Sequence, residues 1–300
     1  MQYSTELTIR FHLFSSIVLA AAIGAPVIFA DDDSDVHGIT FTEKILGSGS
    51  SLGFVTKFDT AVGYQFNRYL AVEGGIPVYM VNPSNSLSSV TGTHSQSGLG
   101  DVYADVRLTL ANPVVNYTGI VTAGAPTGDR SIGFSTGHAS WDWSNLFDRT
   151  FDRITPFAEV GMGNTILDQP YFIRPFTTFG FVSHLEGGAS YKLWRMVSVG
   201  ASLYAIEPAG QQTVVSKLFG SSSNPGSGAG RRHHGTFDTA SETVGSADIA
   251  RDHGLAAWFG VRPSRYAQFE IGYSHSLDYS LDNVFFGVIF NLGSLIPKHF

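Results

Sequence analysis

A histidine lies between two serines near the C-terminus, in the segment Tyr273 to Asp278 (YSHSLD). Hydrolysis by a serine nucleophile needs the hydroxyl within hydrogen-bond reach of a histidine that a third polar group orients. Successive side chains of a β-strand point to opposite faces, so a strand would not present His275 to Ser274 or Ser276. We therefore expect no enzyme activity from this segment.

A second histidine cluster, Arg231 to His234 (RRHH), lies in a stretch rich in glycine and serine. Two neighbouring histidines bind a metal ion weakly, and no acidic residue or third histidine stands at ligand spacing. The acidic run Asp31 to Asp35 (DDDSD) is more typical of a tail than of a calcium site. The sequence thus predicts solvated segments here, with no metal and no cofactor.

Most other charged residues alternate with apolar ones. From Val102 to Leu110 every even position is apolar, while Asp105 and Arg107 occupy the other face. A period of two is the signature of a β-strand. Charges of this kind would cost several kcal/mol each if they faced lipid, so in a membrane barrel they must line the lumen. The predicted lumen-lining residues are Lys57, Asp59, Glu73, Asp101, Asp105, Arg107, Glu159, His184, Glu186, Lys192, Arg262 and Glu270.

The same alternation runs through the chain and predicts twelve strands. They lie near 38–46, 52–66, 69–81, 99–110, 114–125, 139–151, 154–165, 177–193, 196–207, 253–262, 266–277 and 283–293. Tight turns at 67–68, 112–113, 152–153, 194–195 and 263–265 alternate with longer polar connections at 82–98, 126–138, 166–176 and 208–252, and with short ones at 47–51 and 278–282. Short periplasmic turns opposite longer external loops are typical of outer-membrane barrels.

The expected fold class is therefore all-β: an antiparallel up-and-down transmembrane β-barrel of about twelve strands. Strands of about 9–11 residues suffice to cross a bilayer when tilted. Aromatic residues near the strand ends predict two interfacial girdles, Tyr64, Phe66, Tyr191 and Trp194 at one end and Tyr79, Trp141, Trp143 and Tyr204 at the other. A soluble β-sandwich also alternates, but it gains nothing from two aromatic belts.

Composition agrees with this interpretation. The 300 residues include 34 glycines and 13% aromatic residues, but only 14% charged ones and no cysteine. No apolar run after residue 30 reaches the roughly 18 residues of a membrane helix. The net charge of −7 argues against nucleic acid as a partner.

The N-terminal residues 1–30 resemble a secretory signal peptide, with Arg10 before an apolar segment and Ala30 at the predicted cleavage site. An uncleaved anchor is the alternative. An acidic tail would follow at 31–37, the barrel would occupy 38–293, and a C-terminal tail would cover 294–300. Within the last strand, Gly287, Phe290 and Leu292 resemble the signal that the barrel assembly machinery reads, which makes that machinery and outer-membrane lipid expected partners.

Two short motifs stand one hairpin apart. They are GLGD (Gly98, Leu99, Gly100, Asp101) and PTGD (Pro126, Thr127, Gly128, Asp129), followed by GFSTG at 133–137. This pairing resembles the outer-membrane transporter-like family labelled as the MetA pathway of phenol degradation. These motifs either shape the rim of the barrel or contact the solute directly.

The resemblance implies a barrel in the bacterial outer membrane that passes small organic solutes, aromatic or hydrophobic compounds among them.

Mixed charges in a twelve-strand lumen are compatible with an ion-paired, largely filled interior, and their small acidic excess favours cations or neutral solutes. The loop 208–252 is long enough to fold over or into the barrel mouth, where it would act as a gate. The alternative is a structural or adhesive barrel with a plugged lumen that displays its loops.

Overall fold

A computed structural model describes residues 37–91, 94–166, 168, 173–218 and 241–292. The signal peptide, the acidic tail up to residue 36, the Arg231–His234 cluster and the C-terminal tail, all predicted from sequence, lie outside these residues. None of the helices in the described part is long and apolar enough to cross a bilayer.

The described chain is almost entirely β-structure. Its strands are β1 (Gly38–Ser50), β2 (Gly53–Gln65), β3 (Leu70–Pro83), β4 (Gln96–Leu99), β5 (Val102–Leu110), β6 (Asn116–Ala125), β7 (Ser140–Asp148), β8 (Ile154–Gly163), β9 (Phe176–Phe179), β10 (Val182–Trp194), β11 (Val197–Pro208), β12 (Gln212–Ser216), β13 (Glu242–Gly245), β14 (Asp252–Ser264), β15 (Ala267–Ser276) and β16 (Leu281–Leu292). The helix α1 (Asn85–Thr91) and two 3₁₀ turns, Arg130–Ile132 and Ala247–Ile249, lie in connections between strands.

Twelve antiparallel strands close into a barrel. Each pairs with its neighbours in the sequence. The first strand, β1, closes the ring by pairing with the last, β16, in a register that begins with Phe41 opposite Leu292 and ends with Ser50 opposite Asn283. β4 and β5 both pair with β3 and together form one barrel strand that is interrupted at Gly100–Asp101. This confirms the predicted twelve-strand antiparallel barrel, including the first strand, β1.

Two predicted boundaries are wrong. The segment 47–51 is not a loop, because Gly47 to Ser50 continue β1 and pair with both β2 and β16. The strand predicted at 177–193 is two strands, β9 and β10, because the chain turns at Gly180 with φ of +146°. That conformation favours glycine, and it directs β9 away from the barrel wall to pair with β12.

Side chains alternate across the barrel wall as its lipid and lumen faces require. On β5, Asp105 is buried while Val106 and Leu108 are exposed on the outside. Trp141 and Trp143 at one end and Tyr64 and Trp194 at the other are also exposed. We call the end with the five tight turns the turn end and the opposite end the loop end.

Glycines create room for rings that lie against the inner wall. Several inward-facing rings lie directly across from a glycine of the neighbouring strand, in the pairs Gly75–Tyr103, Gly161–His184, Gly188–Phe157, Gly200–Trp258, Gly254–Tyr204 and Gly272–Phe285. A Cβ at these glycines would lie 2.2–2.9 Å from an atom of the facing side chain. The high glycine content is thus in part a requirement of inward-facing aromatic side chains.

Candidate functional site: the barrel lumen and its plug

A cavity of about 680 Å³ lies inside the barrel. Its lining extends from Gln65 and Arg265 at the turn end to Asp168 and Lys217 near the loop end. Ten predicted lumen residues line it: Lys57, Asp59, Glu73, Asp101, Asp105, Arg107, Glu159, His184, Glu186 and Arg262. Lys192 and Glu270 are not part of this lining, and Glu270 is buried at the inner face of β15.

One wall of the cavity, formed by β1 to β3 and β5, carries paired charges. Lys44 Nζ lies 4.0 Å from Asp59 Oδ2 and 3.7 Å from Glu73 Oε1, while Lys57 Nζ lies 3.6 Å from Asp59 Oδ2. The Tyr103 hydroxyl donates a hydrogen bond of 2.9 Å to Asp59 Oδ1. These contacts offset much of the local charge, so this wall is polar rather than strongly acidic.

The facing wall, on β7, β8 and β10, is more acidic. His184 Nε2 lies 3.0 Å from Asp142 Oδ1, and its Nδ1 lies 3.6 Å from Glu159 Oε1. Glu159 lies directly across from Glu186 in the strand register. Asp142 was missed from the sequence, although its place between the outward-facing Trp141 and Trp143 puts it on the lumen face by alternation alone.

Two long connections fold into the loop end of the barrel. β9, from the connection between β8 and β10, pairs with β12, from the connection between β11 and β14, and β13 completes a three-stranded sheet. We call the described parts of these connections, residues 164–166, 168, 173–181, 209–218 and 241–251, the plug. The sequence predicted no strands at β12 and β13, because each pairs with a strand that is distant in the chain: β12 pairs with β9, and β13 pairs with β12.

The plug reaches the opposite wall through Asp168. This carboxylate accepts hydrogen bonds of 2.7 Å from the Tyr79 hydroxyl and 2.9 Å from Lys217 Nζ, and it lies 3.4 Å from Lys57 Nζ. Burial alone would raise the pKa of Asp168, but the two ammonium groups and the Tyr79 hydroxyl outweigh it and lower that pKa below its usual range. We call this contact between Asp168 and the β2–β3 wall the latch.

Tyr79 and Tyr204 were assigned to the outer girdle from sequence, and that assignment is wrong. Both are buried inside the barrel. Tyr79 donates to Asp168, and the Tyr204 hydroxyl donates a hydrogen bond of 3.3 Å to Asp252 Oδ2. Each hydroxyl finds a polar partner in the interior, as buried tyrosines usually do.

Apolar contacts surround the latch. Ile173 and Leu218 of the plug pack in one buried cluster with Leu46, Val55 and Tyr79 of the wall. A second cluster joins the plug residues Ile166, Phe176, Val214 and Ala250 to Val182 and Ile206 of β10 and β11. Leu52, in the turn between β1 and β2, contacts both clusters. The described loop end is therefore packed like a protein core.

The GLGD and PTGD motifs meet in space. The Gly128 N–H donates a hydrogen bond of 3.0 Å to Asp101 Oδ1, and the Val102 N–H donates one of 2.9 Å to Thr127 Oγ1. A Cβ on Gly128 would lie 2.8 Å from the carbonyl carbon of Gly100. We call this contact the motif joint; it links the interruption between β4 and β5 to the loop after β6.

The loop after the motif joint packs against the plug. Phe134 joins the cluster that contains Ile173 and Leu218. A Cβ on Gly133 would lie 1.8 Å from the carbonyl oxygen of Ser216 on β12, so only glycine fits this approach. The two motifs therefore hold the loop against which the plug packs.

The serines and histidine considered for hydrolysis are separated by the wall. His275 lies on the outer face, where its Nδ1 is 2.8 Å from Asp282 Oδ1, whereas Ser274 and Ser276 are buried on the inner face. Among the described residues, no group of three His, Asp or Glu side chains is arranged to hold a metal ion.

Several solved structures have a similar fold. An outer membrane channel from Pseudomonas putida F1 matches at a TM-score of 0.52 and 10% identity, covering 89% of this chain and 100% of that one. The KdgM porin, solved with disordered oligogalacturonate, matches at a TM-score of 0.43 and 8% identity, over 84% of this chain and 98% of that one. The CymD monoaromatic hydrocarbon channel matches at 0.39 and 8%, over 87% and 90%.

No protein-family model matches the chain, and no curated protein matches it in sequence. At 10% identity, the similarity to the Pseudomonas putida F1 channel establishes the fold alone. The chain shares its barrel fold with the Pseudomonas putida F1 outer membrane channel.

Proposed function

We propose that this protein is a channel of the bacterial outer membrane that passes small organic solutes without an energy source. The observation that carries the proposal is the cavity of about 680 Å³ that runs inside the closed barrel from the turn end to the plug. Cavities of about 300–1,000 Å³ are typical of small-molecule sites. The lining combines paired charges with hydroxyl groups and rings, so it suits neutral or cationic solutes with apolar parts.

The orientation follows from the connections. Tight turns face the periplasm in outer-membrane barrels, and longer loops face outward. The turn end is therefore periplasmic, and the plug lies at the external mouth. The apolar outer face contacts lipid, and the outward-facing residues of β16 are the part of the chain that we expect the assembly machinery to recognise.

The motif joint supports a place in the transporter-like family labelled as the MetA pathway of phenol degradation. The two motifs that carry the resemblance contact each other, through Asp101 and Gly128, and the loop that follows supports the plug. Of the two roles considered for them, this favours architecture of the rim over contact with solute.

The test is conductance in planar bilayers, with two deletions compared. Removing 211–250 takes away β12, β13 and Lys217, whereas removing 219–240 leaves them. The second deletion is a matched control, because Ser216 N–H donates a hydrogen bond of 3.0 Å to Ser241 O and a short linker can join the two ends. We expect larger or more frequent conductance steps only when 211–250 is removed.

A structural or adhesive barrel is the second candidate, and the packed plug is the observation that favours it. The two candidates differ in solute flux. If neither wild type nor the 211–250 deletion conducts ions or admits small solutes into liposomes, transport is refuted and the structural role is supported. If the wild type conducts with its plug in place, a pore must run beside the plug.

A further inference from the structure

Arginine is concentrated in the turns at the turn end of the barrel. The five connections there are 66–69, 111–115, 149–153, 195–196 and 265–266. Four of these connections contain arginine, and together they hold five arginines: Arg68, Arg149, Arg153, Arg195 and Arg265. Asp152 is the only acidic residue in the five connections. This end of the barrel is therefore positively charged, although the whole chain carries a net charge of −7.

Three of these arginines lie over an aromatic ring of the same turn. The guanidinium carbon lies 4.6 Å from the Tyr69 ring centre for Arg68, and 4.7 Å from the Tyr266 ring centre for Arg265. For Arg149 and Phe151 the distance is 5.7 Å. All three rings are exposed at the barrel surface. Aromatic side chains at this level of a membrane protein lie among the lipid headgroups.

The turn-end arginines differ from the basic residues near the loop end in their partners. Arg130 lies 2.9 Å from Glu242, and Arg251 contacts both Glu207 and Asp248. None of the five turn-end arginines forms an ion pair with an acidic side chain of the described chain. Arg68 and Arg265 each donate one hydrogen bond, to the hydroxyls of Tyr69 and Tyr266, which leaves their other N–H groups to an external anion.

We propose that the arginine–aromatic pairs Arg68–Tyr69, Arg149–Phe151 and Arg265–Tyr266 bind the phosphate groups of anionic phospholipids in the periplasmic leaflet. A guanidinium group matches phosphate oxygens with two parallel hydrogen bonds. The adjacent ring places that group at headgroup depth. The proposal rests on the outer-membrane position of the barrel and not on transport. An absence of solute transport would therefore not affect it.

The distribution of the pairs favours lipid over a single protein partner. The turns join β2 to β3, β7 to β8 and β14 to β15, which lie in different parts of the twelve-strand ring. A globular partner would contact one side of the rim, whereas a lipid leaflet surrounds it. The pairs also do not converge on one point, as they would around a single soluble anion.

The experiment compares lipid retention by native mass spectrometry after reconstitution in mixed phosphatidylglycerol and phosphatidylcholine nanodiscs. We expect the wild type to retain phosphatidylglycerol preferentially, and its unfolding temperature to rise with the fraction of that lipid. The test variant carries Arg68→Gln, Arg149→Gln and Arg265→Gln together. The matched control carries Arg130→Gln and Arg251→Gln at the other end, where both arginines are already ion-paired.

Each turn-end substitution should weaken phosphatidylglycerol binding about fivefold, as expected for one basic group at a membrane surface. The control variant should keep the wild-type preference. Equal retention of the two lipids by wild type, or an unchanged preference in the triple variant, would overturn the proposal. If inorganic phosphate raised the unfolding temperature in detergent as much as the lipid does, the site would be one for free anions and the lipid assignment would be wrong. If the triple variant does not fold, the three single substitutions are measured instead, and an unchanged preference in all of them would overturn the proposal.

Discussion

The carboxylate of Asp168 lies 3.4 Å from the ammonium group of Lys57, although the two residues come from opposite sides of the barrel. Asp168 follows β8, and Lys57 is on β2, five strands away in the ring of twelve. Both side chains are largely shielded from water. The latch thus fixes the plug to the far wall by a charge contact in a protected place.

Asp168→Asn should release this contact. The amide cannot balance the buried ammonium groups of Lys57 and Lys217, and removing one partner of a buried ion pair typically lowers the free energy of unfolding by about 3–5 kcal/mol. We expect lower resistance to urea in detergent and more frequent conductance steps. Asp248→Asn, which removes an exposed carboxylate from the same plug, is the control, and equal effects of the two variants would contradict the latch.

The pH dependence of the latch follows from the lowered pKa of Asp168. A carboxyl whose pKa is lower in the folded state stabilises that state above its unfolded pKa, and this stabilisation is lost as the pH falls through the folded value. The difference in unfolding free energy between wild type and Asp168→Asn should therefore be constant from pH 8 to pH 5 and shrink only below about pH 4. A difference that already disappears between pH 7 and pH 5 would show that the pKa of Asp168 is raised in the folded protein, and it would contradict the latch.

Glycines opposite the inner rings should not tolerate a side chain. A Cβ on Gly272 would lie 2.2 Å from the Phe285 ring, and one on Gly200 would lie 2.3 Å from the Trp258 ring. Gly272→Ala or Gly200→Ala should lower the free energy of unfolding by about 1–3 kcal/mol through overpacking. Gly187→Ala is the matched control, because nothing lies within 4 Å of its Cβ position. Urea unfolding of the three variants provides the comparison.

Acidic residues of the cavity should set its ion preference. Asp105 and Glu159 both line the cavity, on different walls. Asp105→Asn with Glu159→Gln should shift the reversal potential in a KCl gradient toward anions, since negative charge is removed from the lumen. Asp101 is a poor choice for this test because it also forms the motif joint. Asp282→Asn on the outer face serves as control, and an unchanged reversal potential in the lumen variant would exclude these two residues from the conducting path.

The motif joint should matter for the plug rather than for ion preference. Gly128→Ala would place a Cβ 2.8 Å from both Gly100 and the Phe134 carbonyl oxygen, which belong to rigid backbone. We expect the loop after β6 to move and the plug to loosen, seen as more frequent opening with the same reversal potential. A shifted reversal potential without a change in opening would instead place Gly128 near the solute path.

Local sequence pattern predicted the barrel, and the length of the loop 208–252 indicated that it could enter the mouth, but the strands and contacts of the plug were not predicted. Alternation and tight turns are properties of neighbouring residues, so the wall strands and most lumen-facing charges followed from them. The plug depends on contacts such as that between Tyr79 and Asp168, which are 89 positions apart. β12 and β13 are short and lie in a long polar connection, where no periodicity distinguishes them.

Local pattern also predicted the orientation of some aromatic residues and not of others. Trp141 and Trp143 are exposed at the loop end, as their positions near a strand end predict. Tyr79 stands at a similar level but points inward, because the strand phase and the carboxylate of Asp168 give its hydroxyl an interior partner. Interfacial position alone therefore does not decide between girdle and lumen.

The latch also has a consequence for the order of folding. Lys57 and Tyr79 face Asp168 and Lys217 only after the strands between them have closed the ring, so the latch cannot form in an open sheet. Until closure, the apolar residues of the plug have only part of their packing, and contacts of such long sequence separation form slowly. Ring closure and seating of the plug should therefore be coupled as the last cooperative step of assembly.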